Sequence, residues 1–321
     1  MLARFVVALS VLWSSTALAD KADPPPGPYR GVTASIDGRF VAKWTIDAVS
    51  ISTDGGKSFA PALDHPGEVS AAALDARGTL YVVRGTSVGV QSGTSERWST
   101  VPGVISISDM IVAGPNVVLQ ALVAAVGDDD PAERIVVSRD AGRSWTARPE
   151  WQVGNFQTTV ALADDGTIDY ISGWEAACGG GYQSRFHGSI ASETLSDGRW
   201  SMDAPTTATP TLSGVAYALD ESCVPGQTAL CADTTRGVVA VRLDHPYAVP
   251  AGTYQLFSRA LGKRSIVLMG SALVMLDGTR GRVLATNAPA QVSSFSGTAQ
   301  GEAWVIADGQ VRHFTGAAWV R

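Results

Sequence analysis

One local pattern recurs along this chain at nearly even spacing, and it governs what the chain can fold into. A short apolar run meets an Asp- and Gly-rich turn and continues as a β-branched or aromatic run. Ile36-Asp37-Gly38-Arg39-Phe40, Leu74-Asp75-Ala76-Arg77-Gly78-Thr79-Leu80 and Ala163-Asp164-Asp165-Gly166-Thr167-Ile168 carry it plainly. Gly admits φ > 0 and Asp bonds its own turn, so each reads as a tight hairpin. Looser versions stand at Gly114-Pro115-Asn116, Val224-Pro225-Gly226, Leu261-Gly262-Lys263 and Ala299-Gln300-Gly301. From Gly38 to Gly301 the units average about 44 residues, the repeat length of a four-stranded propeller blade. Helical i, i+3, i+4 spacing of apolar residues is almost absent. The expectation is an all-β chain, a seven-bladed β-propeller of four-stranded antiparallel blades, forming one domain over residues 31–321. Six or eight blades stay open as alternatives, because the fourth unit is long and the fifth lacks the second motif.

That second motif is an octapeptide. Ser138-Arg139-Asp140-Ala141-Gly142-Arg143-Ser144-Trp145 and Ser52-Thr53-Asp54-Gly55-Gly56-Lys57-Ser58-Phe59 share Ser-x-Asp-x-Gly-x-Ser-aromatic, each after a strand-like run. Partial copies end at Trp98, Trp200 and Trp319. The Asp can accept amide protons from its own turn, Gly supplies a left-handed backbone, and the aromatic ring can bury itself between strands. Ser52, Asp54, Gly56, Phe59, Ser138, Asp140, Gly142 and Trp145 are therefore read as structural fasteners. On these octapeptides the chain resembles the Asp-box (BNR repeat) β-propellers, a group that includes sialidases, sortilin-type receptors and the photosystem II assembly factor. The resemblance implies that the box lies between the third and fourth strands of a blade, away from the binding face.

The resemblance also sets two functional expectations. One is a non-catalytic binding or scaffold module for a protein or glycan. The alternative is a sialidase-like glycoside hydrolase, which would need three Arg on a substrate carboxylate, an acid/base Asp and a Tyr nucleophile assisted by Glu. The Arg-Ile-Pro that carries the first of those arginines is replaced here by Tyr29-Arg30-Gly31-Val32, and no Glu stands in a matching motif. No catalytic residue is assigned.

Met1–Ala19 reads as a secretory signal: one basic residue, an apolar Phe5–Trp13 interrupted only by Ser10, and Ala17-Leu18-Ala19 before Asp20. No apolar run reaches the roughly 20 residues of a membrane span. Residues 20–30, with Pro24-Pro25-Pro26, read as a stiff spacer. The chain is thus expected to be exported, periplasmic or extracellular, where disulfides persist. Cys223 and Cys231 flank Val224-Pro225-Gly226-Gln227 and are expected to pair, leaving Cys178 over. A net charge of −6 argues against a nucleic-acid partner. The four His lack zinc-type spacing, Asp128-Asp129-Asp130 lacks the alternation of a Ca²⁺ loop, and no phosphate or dinucleotide motif is present, so neither metal nor cofactor is expected. The oligomeric state is not readable from the sequence.

In a propeller, the second-to-third and blade-to-blade loops gather at one end of the channel. The segments assigned there are 44–47, 84–87, 125–133, 174–187, 233–237 and 270–272. Trp44, Asp47, Arg84, Trp174, Tyr182, Arg185, His187 and Arg236 are the candidate ligand contacts, since aromatic rings beside Arg and His suit a sugar or an acidic group. The 174–187 stretch is read as one long loop.

Overall fold

The computed structural model describes residues 28–321, leaving aside 64, 125–131, 149–150, 152–156, 176–180, 193–195, 201–207, 222, 235 and 251–255. For 157–158, 174–175, 181–183, 196–200 and 208–209 only the backbone is described. The expected signal segment, most of the spacer, Asp128 to Asp130 and Cys178 lie outside the described residues.

Seven antiparallel sheets follow one another along the chain, at 31–62, 69–100, 104–148, 157–200, 208–240, 256–285 and 292–320, and are numbered blades 1 to 7. Each takes four consecutive strands in simple up-and-down order. Blade 6 gains a fifth strand, Arg242–Leu243, which pairs parallel with its outer strand Arg280–Ala285. Among the described residues there is no helix. The first strands of successive blades touch in order, and that of blade 7 returns to blade 1. The protein is a seven-bladed β-propeller.

Six of the seven turns read from the sequence join the first strand of a blade to the second. Val224-Pro225-Gly226 is the exception. It lies between the second strand of blade 5, Ala216–Asp220, and the third, Ala229–Thr234, whereas the first-to-second turn of that blade is 211–215, closed by Thr211 Oγ donating to the Val215 carbonyl at 2.7 Å. Proline and glycine serve a turn at either end of a strand, so composition alone did not place it. At Gly78 (φ 82°) the demand for glycine is also steric, since a Cβ there would come within 2.5 Å of the Phe40 ring of blade 1.

Both octapeptides sit between the third and fourth strands of their blades. Their hydrogen bonds coincide. In blade 3, Asp140 Oδ1 accepts from Ser138 Oγ (2.8 Å) and from the amides of Arg143 and Ser144 (both 2.9 Å), while Oδ2 accepts from Ser144 Oγ (2.6 Å). In blade 1, Asp54 takes the same four donors from Ser52, Lys57 and Ser58. The first Ser hydroxyl in turn accepts the amide of Gly56 or Gly142. Burial pushes the Asp140 carboxyl up, but the Ser144, Ser138 and Arg143 donors outweigh it and hold the group at about 2. The Ser52 and Ser58 hydroxyls and the Ser58 and Lys57 amides drive Asp54 well below the carboxylate range. Trp145 packs on the core between blades 2 and 3 and donates to Ser99 Oγ at 3.2 Å; Phe59 packs beside Trp304 at the blade 7–blade 1 seam.

That seam closes the ring without a strand borrowed from the other end of the chain. Trp304 is 1% exposed and packs on Val32, Ala34 and Val41. The free-edge amides of Val32 and Ala34 donate to Ser294 Oγ (3.1 Å) and Ser296 Oγ (2.9 Å), and the Ala299 amide reaches the Ile36 carbonyl at 2.9 Å. By contrast, among the described residues the buried apolar contact between blades 4 and 5 is made by Ile171, Ala216 and Ala218 alone. The polar side chains beside it carry the functional question.

Candidate functional site

Up-and-down blades divide the turns between two ends of the ring. First-to-second and third-to-fourth turns, with the octapeptides, make one end, here the motif face. Second-to-third and blade-to-blade connections make the other, the loop face. The structure redistributes the candidate contacts between them.

Arg84 ends the second strand of blade 2, Leu80–Arg84, at the loop face, yet it is buried. Its Nη1 donates to the Gly67 carbonyl and its Nη2 to the Asp47 carbonyl (2.9 Å), tying the blade 1 loop to the connection between blades 1 and 2. Asp47 keeps its side chain in solvent. Trp44 is half-buried and lies over blade 1's first strand, so closely that a Cβ on Gly31 would come within 2.0 Å of its ring. Arg84 and Trp44 thus build the platform that presents Asp47.

The 174–187 stretch is mostly hairpin rather than loop. Thr167–Glu175 and Gly181–Ser189 pair along nine positions, with Trp174 opposite Tyr182 beside the loop end. The apolar–polar alternation along these strands is broken at Tyr170-Ile171 and at Gln183-Ser184-Arg185, and with the three glycines this pointed to a loop. Arg185 and His187 are consequently well down the blade, opposite Ile171 and Asp169. Arg185 forms a two-pronged ion pair with Asp169, which is 1% exposed, and donates to the Gly214 carbonyl of blade 5 at 2.9 Å. His187 Nδ1 lies 3.8 Å from the same carboxylate with its ring largely in solvent. Asp233 faces this group from blade 5; burial raises its carboxyl, and the charge of Arg185 offsets part of that. Arg236 was expected on the loop face, but it is exposed on the third-to-fourth turn of blade 5, at the motif face. The error has the same origin as the misplaced Val224 turn: blade 5 was read one strand out of phase.

The expected disulfide is present. Cys223 and Cys231 are joined with Cα atoms 5.8 Å apart, at the loop face of blade 5. Among the described residues no three His, Cys, Asp or Glu gather as metal ligands, and no helix is long and apolar enough to cross a membrane.

Two inward groups were missed by the sequence reading. Asp109 lies in the first strand of blade 3, Val104–Ala113, in a narrow cleft with Met110, Gln120, Ile135 and Val160. Burial pushes its carboxyl up, against a 2.7 Å hydrogen bond from the Met110 amide. Gln120, directly opposite, donates to Glu133 at 2.9 Å. A single charged residue in a strand of apolar residues and two serines was the available signal, but the register shift beside it leaves no mark in the sequence. Arg259 in blade 6 donates to Ser296 Oγ (2.6 Å) and the Gly297 carbonyl (3.0 Å), and burial lowers its pKa to about 10. Arg84, Arg185, Arg236 and Arg259 lie on blades 2, 4, 5 and 6 with separate partners or in solvent, so these four do not converge on one carboxylate-sized site.

No family model matches this chain, and no curated protein matches it in sequence. Solved structures are similar in fold. PorZ, described as an essential surface component of the type-IX secretion system of Porphyromonas gingivalis, superposes with a TM-score of 0.56 at 10% identity, covering 93% of this chain and 37% of that one. YCF48 bound to a D1 peptide gives 0.54 at 11% identity, over 91% of this chain and 92% of that one. A GH74 xyloglucanase from Xanthomonas campestris gives 0.52 at 12% identity, over 83% and 48%. At such identities the likeness defines a β-propeller and nothing narrower.

Proposed function

We propose that this chain is an exported, non-catalytic Asp-box propeller that binds a protein or glycan partner on its loop face. Residues 1–19 act as signal peptide and 20–30 as spacer, and 31–321 form one propeller domain. The observation that carries the reading is the commitment of the arginines. Arg84 is spent on two carbonyls of its own loops, Arg185 on Asp169, and Arg236 points to the other end of the ring. A sialidase-like mechanism needs such groups free and convergent. Asp47, Trp174 and Tyr182 remain the loop-face contacts, with Trp44 and Arg84 as their support. The Ser-Asp-Gly-Ser turns with their shared hydrogen bonds support the Asp-box assignment. Export is supported by the leader pattern, the disulfide and the PorZ-like fold, and a protein partner by the fold shared with YCF48 in its peptide complex. The fold shared with a GH74 xyloglucanase keeps a glycoside hydrolase as the alternative.

Two measurements on the secreted protein test this. Fluorogenic sialosides and xyloglucan should show no turnover above a heat-treated control; saturable hydrolysis of either would overturn the binding reading. A photo-crosslinking residue at Asp47, on the loop face, should capture a partner or immobilised glycan, whereas one at the exposed Lys57 of the opposite end should not. Equal capture from both would refute the choice of face.

A further inference from the structure

Blade 6 reverses the charge of the chain. Residues 242–285 carry Arg242, Arg259, Lys263, Arg264, Arg280 and Arg282 against only Asp244 and Asp277, a local +4 within a chain of net −6. All of these cations but Arg259 are exposed, and among the described residues none of the exposed five forms an ion pair.

The sheet lines them up. Arg264 stands opposite Asp277, Asp277 opposite Arg280, and Arg280 opposite Arg242 of the added fifth strand. Directly opposite residues share a face of the sheet, so these side chains form one row across four strands. With strands about 4.8 Å apart the row spans roughly 14 Å. Lys263 borders it in the first-to-second turn, and Arg282 stands two residues beyond Arg280 on the same face. The row lies beside the first-to-second and third-to-fourth turns of blade 6, at the motif face and so opposite the loop face proposed above. Arg280 beside Arg242 is a like-charge cross-strand pair, which destabilises an isolated sheet. Asp277, opposite Arg280, offsets part of that cost but is shared with Arg264, and an anionic partner would offset the rest.

We propose that this face of blade 6 is a second docking surface, and that its occupant is an extended acidic segment of a partner protein. Asp277 decides against a uniform polyanion. It stands in the middle of the row, so a chain of evenly spaced phosphates or sulfates would bring like charge against it. An extended peptide places successive same-side residues about 6.7 Å apart. Two such steps, about 13 Å, can set carboxylates at Arg264 and Arg242, roughly 14 Å apart at the two ends of the row, with a neutral residue between them near Asp277. The negative charge on the rest of the chain repels a long polyanion further and leaves a short acidic segment nearly unaffected, being screened beyond about 10 Å at 0.1 M salt.

Fluorescence anisotropy with a labelled peptide carrying Glu at every fourth position and Thr between tests this on the full propeller at dilute, monomeric concentration. The peptide should bind at low salt and lose affinity as NaCl rises. Arg264→Glu/Arg280→Glu should weaken it at least about tenfold, while Arg139→Glu/Arg143→Glu, the same charge change on blade 3, should leave it nearly unchanged. Both variants are checked for native circular dichroism and melting temperature. Where the double reversal disturbs folding, Arg264→Gln/Arg280→Gln replaces it, with a smaller loss expected. Equal loss from the blade 6 and blade 3 variants would reduce the effect to net charge and overturn the proposal. Heparin binding in place of the peptide would overturn it in favour of a polyanion. Low-salt self-association abolished by the blade 6 variant would make the occupant a second copy of this chain.

Discussion

Replacing Asp140 by Ala removes the centre of the blade 3 octapeptide turn, and the structure fixes both the size and the pH dependence of the effect. Four donors converge on the carboxylate: two hydroxyls and two amides, at 2.6 to 2.9 Å. They hold its pKa at about 2 against the ordinary 3.8, despite the upward push of burial. At 1.36 kcal/mol per pKa unit that difference corresponds to about 2.4 kcal/mol. The turn is largely open to solvent, and screening reduces the expected net loss to about 1 kcal/mol. Because the folded value lies below the unfolded one, the contribution is complete above pH 4 and fades as pH falls toward 2. About half should survive at pH 3.

Urea unfolding followed by Trp fluorescence, at pH 7 and pH 3, measures the difference between native protein and Asp140→Ala. The expected gap is about 1 kcal/mol at pH 7 and about half of that at pH 3. Asp140→Asn keeps one acceptor and loses the charge, so it should fall between the two. A gap that stays constant or widens on acidification would show that the carboxylate charge does not hold the turn. An Asn variant as stable as native would show the same.

Two further outcomes follow from the ring and the loop face. Trp304→Ala opens a cavity at the only seam joining chain ends; a cost of about 3–5 kcal/mol is expected, and a calorimetric Tm change of less than about 3 °C would mean that other contacts close the ring. Cys223→Ser/Cys231→Ser frees a short cross-linked loop and should cost about 2.5 kcal/mol by chain entropy; native protein should lose comparable stability in reductant, and insensitivity to reductant would refute that role.

The blade architecture was legible because it is written locally. Gly38, Gly78, Gly166 and Gly301 all take positive φ in first-to-second turns at blade spacing, and the sequence marks the first three with an Asp close before the Gly. The octapeptides were legible for the same reason, since every hydrogen bond of Asp54 and Asp140 falls within four residues. Strand phase inside blade 5 was not, because Pro225-Gly226 suits either end of a hairpin. Misassigning that one turn sent Arg236 to the wrong face. The Asp169–Arg185 pair was also hidden. Its partners are 16 residues apart and are brought together, diagonally across two strands, only by a hairpin whose loop length the sequence left open.

Long side chains in a propeller are assigned by the partner blade, and this is why the candidate contacts moved more than the strands did. Arg84 reaches carbonyls 17 and 37 residues away, and Arg185 reaches Gly214, 29 residues on. Each spends its charge on fixing one blade against the next, and between blades 4 and 5 Arg185 does so beside the described apolar contact of Ile171, Ala216 and Ala218. Arg259 of blade 6 does the same toward blade 7, but the exposed Arg242, Arg264, Arg280 and Arg282 have no such duty among the described residues. Their positions are set by register within one sheet, they face solvent, and the one carboxylate across the strands from them, Asp277, is shared between Arg264 and Arg280. Charge retained against like charge, rather than charge near a channel, is therefore the better guide to where this propeller meets an anionic partner.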